Sequence, residues 1–493
     1  MAEKPEQIAQ SPTKRRTPRW KIVLVVVLLV GCVAASVLFY WNVTLPAQEL
    51  ARVIQEIDAS DPGWRYADLL RQLEAQVPPD SKNGALVVTK GVGLMQNNLY
   101  FGGNWSVLQE VEFFGSLQPN RKLNPGNLEI LLDQVHPNRE ALKEILKAAD
   151  MPQGLYPIIV IKERKDLVNA PLLTYYSDRA RALLRREALL SIQDRDEQKI
   201  LSCVYALVRC GQYIGDSPGF VHQVLRLSCF CDAASTLEHA LGVSTVDANK
   251  LTPFQELFLN EAERNAFAIS MRGDRACMDE LLQLVELGEI DFKRLYSGPR
   301  NGTVFQEFVD TYLAGYLRES PTKMRLRLLN HYNLLLKFAT LDPHECHRAV
   351  KQYHASVPTG SVSSLLIRIN PEPYLSARQA LLSCAAVGIA VERFRIRHGR
   401  WPNDLDELVP DFLDRVPRDC FTGNPLRYRV TSEGVIIWSV GPDGVDEGGS
   451  VQCWATEVGV PKKDIGFRLY NPDHRNLPPP TEPDSDNRTR PSP

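Results

Sequence analysis

Hydrophobic positions change character several times along the chain. From Ile22 to Trp41 there are 20 successive residues with no charge and no proline. At about 1.5 Å per residue such a run spans roughly 30 Å as a helix, the thickness of bilayer hydrocarbon, which predicts a membrane span. Behind it, Ala47 to Ile57 has a helical pattern broken at Asp58-Ala59-Ser60-Asp61-Pro62-Gly63, where Asp61 is placed to cap the next helix. Trp64, Leu69, Leu70 and Leu73 give that helix an apolar face ending at Pro78-Pro79.

From about residue 125 to 355 the pattern stays helical. Ala180, Leu183, Leu184, Ala188 and Leu189 repeat at three and four, as do Val221, Val224, Leu225, Leu237 and Leu241. Thr252-Pro253-Phe254-Gln255 and Asp342-Pro343-His344-Glu345 read as helix starts, with proline at the first helical position. One β-branched run, Tyr156 to Lys162, predicts a strand. Toward the C-terminus, Ser376 to His398 predicts one long helix whose stripe runs through Ala380, Cys384, Val387, Val391 and Phe394, with Gly399 as its C-cap. A short helix at Leu405 to Leu408 follows, then strands at Leu426 to Val430 and Val435 to Val440 around Ser432-Glu433-Gly434, and a third strand at Ile465 to Leu469. The long helix must bury its stripe against that sheet.

Charge orients the span. Residues 1–21 carry Lys4, Lys14, Arg15, Arg16, Arg19 and Lys21 against Glu3 and Glu6, and a basic flank stays cytoplasmic. The bulk of the chain then lies outside the cytoplasm, anchored through residues 22–41. Phe39-Tyr40-Trp41 closes the run in a form unsuited to signal peptidase. Leu29-Val30-Gly31-Cys32 is compatible with lipoprotein processing, and whether Cys32 is lipidated stays open. The whole chain has a net charge of −2, which excludes a dedicated nucleic-acid binder.

Ten cysteines stand in no framework spacing. Cys203 and Cys210 fall on one helix about 10.5 Å apart along its axis, too far for a disulfide. Cys229 and Cys231 point to opposite faces, and most of the thiols read as buried small hydrophobes. His331, His344, His347 and His354 with Glu345 are the one cluster with metal-ligand chemistry, though the spacing is not that of a zinc protease, and a solvated helix face accounts for it better. No nucleophile elbow, phosphate loop or dinucleotide fingerprint is present.

Two stretches carry resemblances. Asp61-Pro62-Gly63-Trp64-Arg65, Val77-Pro78-Pro79-Asp80 and Asn83-Gly84-Ala85 resemble the membrane-proximal start of large envelope proteins of planctomycete-type bacteria, which implies a bacterial inner-membrane setting and no particular activity. Val391-Glu392-Arg393-Phe394-Arg395, His398 to Pro402, Pro417-Arg418-Asp419, Phe421 to Pro425, Tyr428 and Ser439 to Gly444 with Gly448-Gly449 resemble the globular head of the type II secretion major pseudopilins. The chain departs from that family at Cys420 and Trp401, and its membrane run lacks a prepilin processing site, so the resemblance implies a head domain and not a fibre subunit. It also implies calcium in the loop after the second hairpin strand, held by Asp443 and Asp464; local chemistry adds Asp446 and Glu447.

The resulting expectation is a mainly α protein with an N-terminal transmembrane helix (22–41) behind a basic tail (1–21). A helical extracytoplasmic body (42–360), a small pseudopilin-like α+β domain (365–470) folding as a unit, and a disordered proline-rich tail (471–493) complete it. Its expected role is non-enzymatic, an interaction or scaffold protein with envelope or secretion-system partners. The alternative is an extracytoplasmic metal-dependent hydrolase with its site in the helical body.

Overall fold

The computed structural model describes residues 19–96, 113–156, 172–289, 320–357, 370–451 and 463–480. Helix α1 (Arg19–Phe39), a wide turn at Tyr40–Thr44 and α2 (Leu45–Ser60) form one unbroken rod. Pro46 removes a backbone donor in the first turn of α2, and the wider turn lies directly before it. The apolar part of the rod has no residue buried in the protein. Below it, Leu50, Val53 and Ile57 turn one face of α2 inward, where they meet Trp64, Leu69, Ala276 and Leu329 in a satellite core.

Asp61 does not cap the following helix, contrary to expectation. Gly63, at φ 75°, makes the turn, and α3 (Tyr66–Glu74) begins after Arg65 without a side-chain cap. The Asp61 carboxylate instead accepts from Arg272 Nε at 3.0 Å and from Arg275. Both arginines lie on a helix far along the chain.

After α4 (Gly84–Gly93), α5 (Pro125–Val135) and α6 (Arg139–Leu146) come the longer helices α7 (Leu172–Asp194), α8 (Glu197–Gln212) and α9 (Phe220–Val243). The C-terminal half of α9 is buried on every side, including Cys229–Ala234 and Thr236–Val243, because α7 and α8 cover it here and the C-terminal region covers it there. Next are α10 (Ala248–Glu263), α11 (Ala266–Glu286), α12 (Pro321–Phe338) and α13 (Pro343–Ser356). The start of α10 precedes the expected one. Asp247 caps it by accepting from Asn249 N at 2.9 Å, which leaves Pro253 inside the helix. Asp342 precedes α13 as expected but makes no side-chain cap bond. Of the expected strand at 156–162 only Tyr156 lies within the described residues.

The C-terminal region opens with α14 (Glu372–His398), one turn longer at its start than its stripe suggested, and Gly399 ends it in the left-handed conformation. The strands β1 (Arg427–Val430), β2 (Gly434–Ser439) and β3 (Ile465–Tyr470) form an antiparallel sheet in sequence order, with Tyr428 opposite Ile437 and Ile437 opposite Phe467. The protein is thus mainly helical with a small three-stranded antiparallel sheet. Gly388 lets α14 approach this sheet, since a Cβ there would stand 2.4 Å from the Phe467 ring.

The described residues of 365–470 share their core with the helical body. One hydrophobic cluster runs from Ala85 to Leu469, and α14 packs on α9 and α10 as well as on β2 and β3. The edge strand β3 is met by a side chain of the helical body: Glu238 of α9 accepts the Arg468 backbone N–H at 2.8 Å. Nor is the beginning of the proline-rich tail free. Asn476 N donates to Gly242 O at 3.0 Å, Leu477 N to Asn120 O at 2.8 Å, and Arg475 reaches the buried Glu392 at 2.9 Å. Its remainder, 481–493, and the expected boundary at 360–365 lie outside the described residues.

Candidate functional site

The loop between β2 and β3 is built on two buried carboxylates that flank it. Asp419, 1% exposed, accepts from Ser439 Oγ at 2.9 Å, Val440 N at 3.1 Å and Phe421 N at 2.9 Å, tying the approach to β1 to the exit of β2. At the other end Asp464, 2% exposed, accepts from Gly449 N at 2.7 Å through Oδ2. Burial pushes the Asp464 carboxyl above the usual carboxylate range, against the lowering effect of the Gly449 and Glu447 amides. Its Oδ1 is buried with no hydrogen-bond partner among the described residues. Gly441, Gly444, Gly448 and Gly449 all take positive φ, and the loop folds back only because they do.

The other expected ligands are differently engaged. Asp446 is exposed and accepts from Arg427 Nε at 2.5 Å, Trp438 Nε1 at 3.0 Å and Gly448 N at 3.0 Å. Burial works to raise its carboxyl, but these donors prevail and hold it below the ordinary value. Asp443 is exposed and accepts from Val445 N at 3.0 Å within its own turn. Asp446 and Glu447 lie close enough to Asp464 for their charges to act on it. Of the expected ligands, Asp464 alone offers a buried oxygen without a partner among the described residues. Among the described residues no three His, Cys, Asp or Glu side chains form a metal-holding group.

The histidines divide among three contacts. His331 of α12 shares a hydrogen bond with the Tyr353 hydroxyl of α13 at 2.9 Å, and the His354 ring stands edge-on to it, centroids 5.9 Å apart. His347 reaches across to Glu372 of α14 at 2.8 Å, while His344 lies against Gly423. Glu345 stands 4.0 Å from Arg348. Burial pushes His331 down to about 3 and lowers His354 as well. These groups hold α12, α13, α14 and the 419–424 loop together rather than facing one centre.

Nine cysteines fall within the described residues, and all are free thiols, six of them buried. Burial raises the Cys229 thiol to about 12, consistent with a role in packing. Sequence reasoning missed Glu238 and gave Asp61, Asp419 and Glu392 no role as buried or cross-chain carboxylates. Each has at least one partner well removed in sequence, Arg468, Arg272 and Arg275, Ser439 and Arg475 respectively, which no local spacing signals.

No protein-family model matches the chain, and no curated protein or solved structure shows a significant match to it.

Proposed function

We propose that this chain is a non-enzymatic, single-pass envelope protein of the bacterial inner membrane, with a cytoplasmic N-terminus and an extracytoplasmic body. In this reading the C-terminal α+β region, similar to a pseudopilin head, meets envelope or secretion-system proteins. One observation carries the anchor: the rod Val23–Ser60 is long and apolar enough to cross a membrane and its apolar window is wholly uncovered by protein. An uncovered apolar surface of that size requires another apolar medium. The continuity of the rod into α2, which packs on the body, favours an anchor that stays attached.

Labelling of intact spheroplasts with an impermeant thiol reagent tests it. A cysteine at Pro480→Cys should react and one at Gln10→Cys should not. Reaction at position 10 alone overturns the orientation, and a chain lacking its first 44 residues in vivo overturns the permanent anchor.

Calcium in the 441–449 loop belongs to the same proposal. Asp464 Oδ1 and loop carbonyls would hold it, with Asp443 able to leave its turn and join them. Two to five millimolar calcium, on the order used for extracellular calcium modules, should raise the melting temperature of the full chain. Asp443→Ala should remove most of the shift and leave the calcium-free fold intact. An unchanged melting temperature would make the loop a turn and nothing more.

A further inference from the structure

The helical body begins where the apolar run ends. Asn42, the first residue after Trp41, accepts from Lys323 Nζ of α12 at 2.7 Å. Pro46 is already buried, and it stands about 7.5 Å beyond Trp41 along the rod. Because α1, the turn at Tyr40–Thr44 and α2 are continuous, the rod holds the body at a fixed height above the run. A bilayer with about 30 Å of hydrocarbon and about 40–45 Å of total thickness has a headgroup layer of roughly 5–7 Å on each face. The end of the body nearest the run therefore falls within that layer.

Helices α11 and α12 decide which side chains lie at that end. They run antiparallel, since Thr322 Oγ1 donates to Glu286 Oε1 at 2.7 Å and, further along, Arg275 Nη1 donates to Asn333 Oδ1 at 2.9 Å. The end of α11 is thus level with the start of α12, and Leu287 directly follows it. Leu287 is 60% exposed, although Leu281, Leu282 and Leu284 just before it are buried. Glu286 is paired with Arg325 at 2.6 Å, and the exposed Glu289 offsets Lys323. With these charges balanced, contact with lipid follows from position and does not require an anionic headgroup.

We propose that this end of the body is seated in the extracytoplasmic leaflet of the same bilayer that α1 crosses. Leu287 enters the headgroup layer, and the Lys323 ammonium lies level with the lipid phosphates. The proposal rests on the membrane-span reading of the rod and is independent of what the C-terminal region meets.

The test places photoreactive benzoylphenylalanine singly at Leu28, Leu287 or Val221 of the full chain in phosphatidylcholine nanodiscs, and detects protein–lipid adducts by mass after photolysis. Leu28 lies in the apolar run and reports the bilayer itself. Val221, 62% exposed, is as open as Leu287. It adjoins Phe220, whose amide donates to Asp274 at 3.1 Å, a position on α11 about 20 Å back from Leu287. None of the three replacements removes a buried side chain. Adducts should form at 28 and at 287, with the yield at 287 at least tenfold above that at 221. Adducts at 28 with none at 287, or equal yields at 287 and 221, would overturn the seating and leave the span standing. The lack of any adduct at 28 would overturn the span reading and the seating with it.

Discussion

Two helices among the described residues are long and apolar enough to cross a membrane, the N-terminal rod Val23–Ser60 and α14, Glu372–His398. What covers them differs. No residue in the apolar window of the first is buried in protein, against 72% of the window in the second. The polar content of each explains the difference. In the apolar run from Ile22 to Trp41 there is no charge. In α14, Glu392 is 0% exposed and is held by both Arg395 and Arg475, and Glu372 is held by His347 and Ser376. Hydrocarbon has no such partners to offer. Apolarity sets how much cover a helix needs; its buried charges decide what kind of cover serves.

Removing the cover altogether has the largest expected effect. A fragment of residues 370–480 lacks α9 and α10, so the outer face of α14 and the Glu238 bond to β3 are lost together. It should melt without cooperativity and bind a hydrophobic dye. A cooperative transition in the fragment would show that the sheet alone suffices for α14. Glu392→Ala asks how far the buried charges matter. It leaves Arg475 buried without its carboxylate, and the full chain should lose about 3–5 kcal/mol in chemical denaturation. A loss under about 1 kcal/mol would mean that α14 is held by its apolar stripe and not by its charges.

The reciprocal experiment places a charge in the other helix. Val30→Arg, in the middle of the apolar run, should cost about 2.5–3.5 kcal/mol in membrane insertion and move a visible fraction of the chain out of the membrane pellet. Folding of the body should not change, because Val30 is 64% exposed and lies outside its core. The smallest effect is one of pH. His239 of α9 is buried and lines a cavity with Leu189 and Gln193 of α7, and burial, aided by the charges of Arg468 and Arg185, pushes it down to about 3. With an unfolded value near about 6.5, the unfolded chain binds the extra proton first, so stability is full above that pH and falls as acid is added toward pH 3. Between pH 6.5 and 5 the loss should be about 1–2 kcal/mol, and His239→Gln should flatten the slope. A slope unaltered by the substitution would assign the acid sensitivity to other groups.

Much of the element order was legible because it depends on period and punctuation. The hairpin strands were expected at Leu426 to Val430 and Val435 to Val440 and lie at Arg427–Val430 and Gly434–Ser439. The errors have physical causes. Thr252-Pro253 looked like a helix start because proline fits the first turn, but Asp247 supplies the actual cap one turn earlier. Asp61 looked like a cap because it precedes a helix, but Arg272 and Arg275 are stronger partners for a carboxylate than a free backbone amide. The four histidines were expected on a solvated helix face, but His331 and His347 are buried, and helix packing and a neighbouring loop send the group to contacts between elements.

The sequence by itself determined that residues 22–41 are an uncharged apolar run long enough to span a bilayer, and that a long helix followed by three strands lies in the C-terminal part of the sequence. Those features follow from composition and periodicity within about 20 residues. Only the tertiary structure decided that the C-terminal region shares its core with the helical body, that Glu238 completes the edge of β3, and that Arg475 docks the start of the tail onto Glu392. A buried carboxylate has several possible cations at similar local cost, and which of them reaches it depends on how distant helices pack. That choice lies in contacts between residues far apart along the chain, where no local pattern records it.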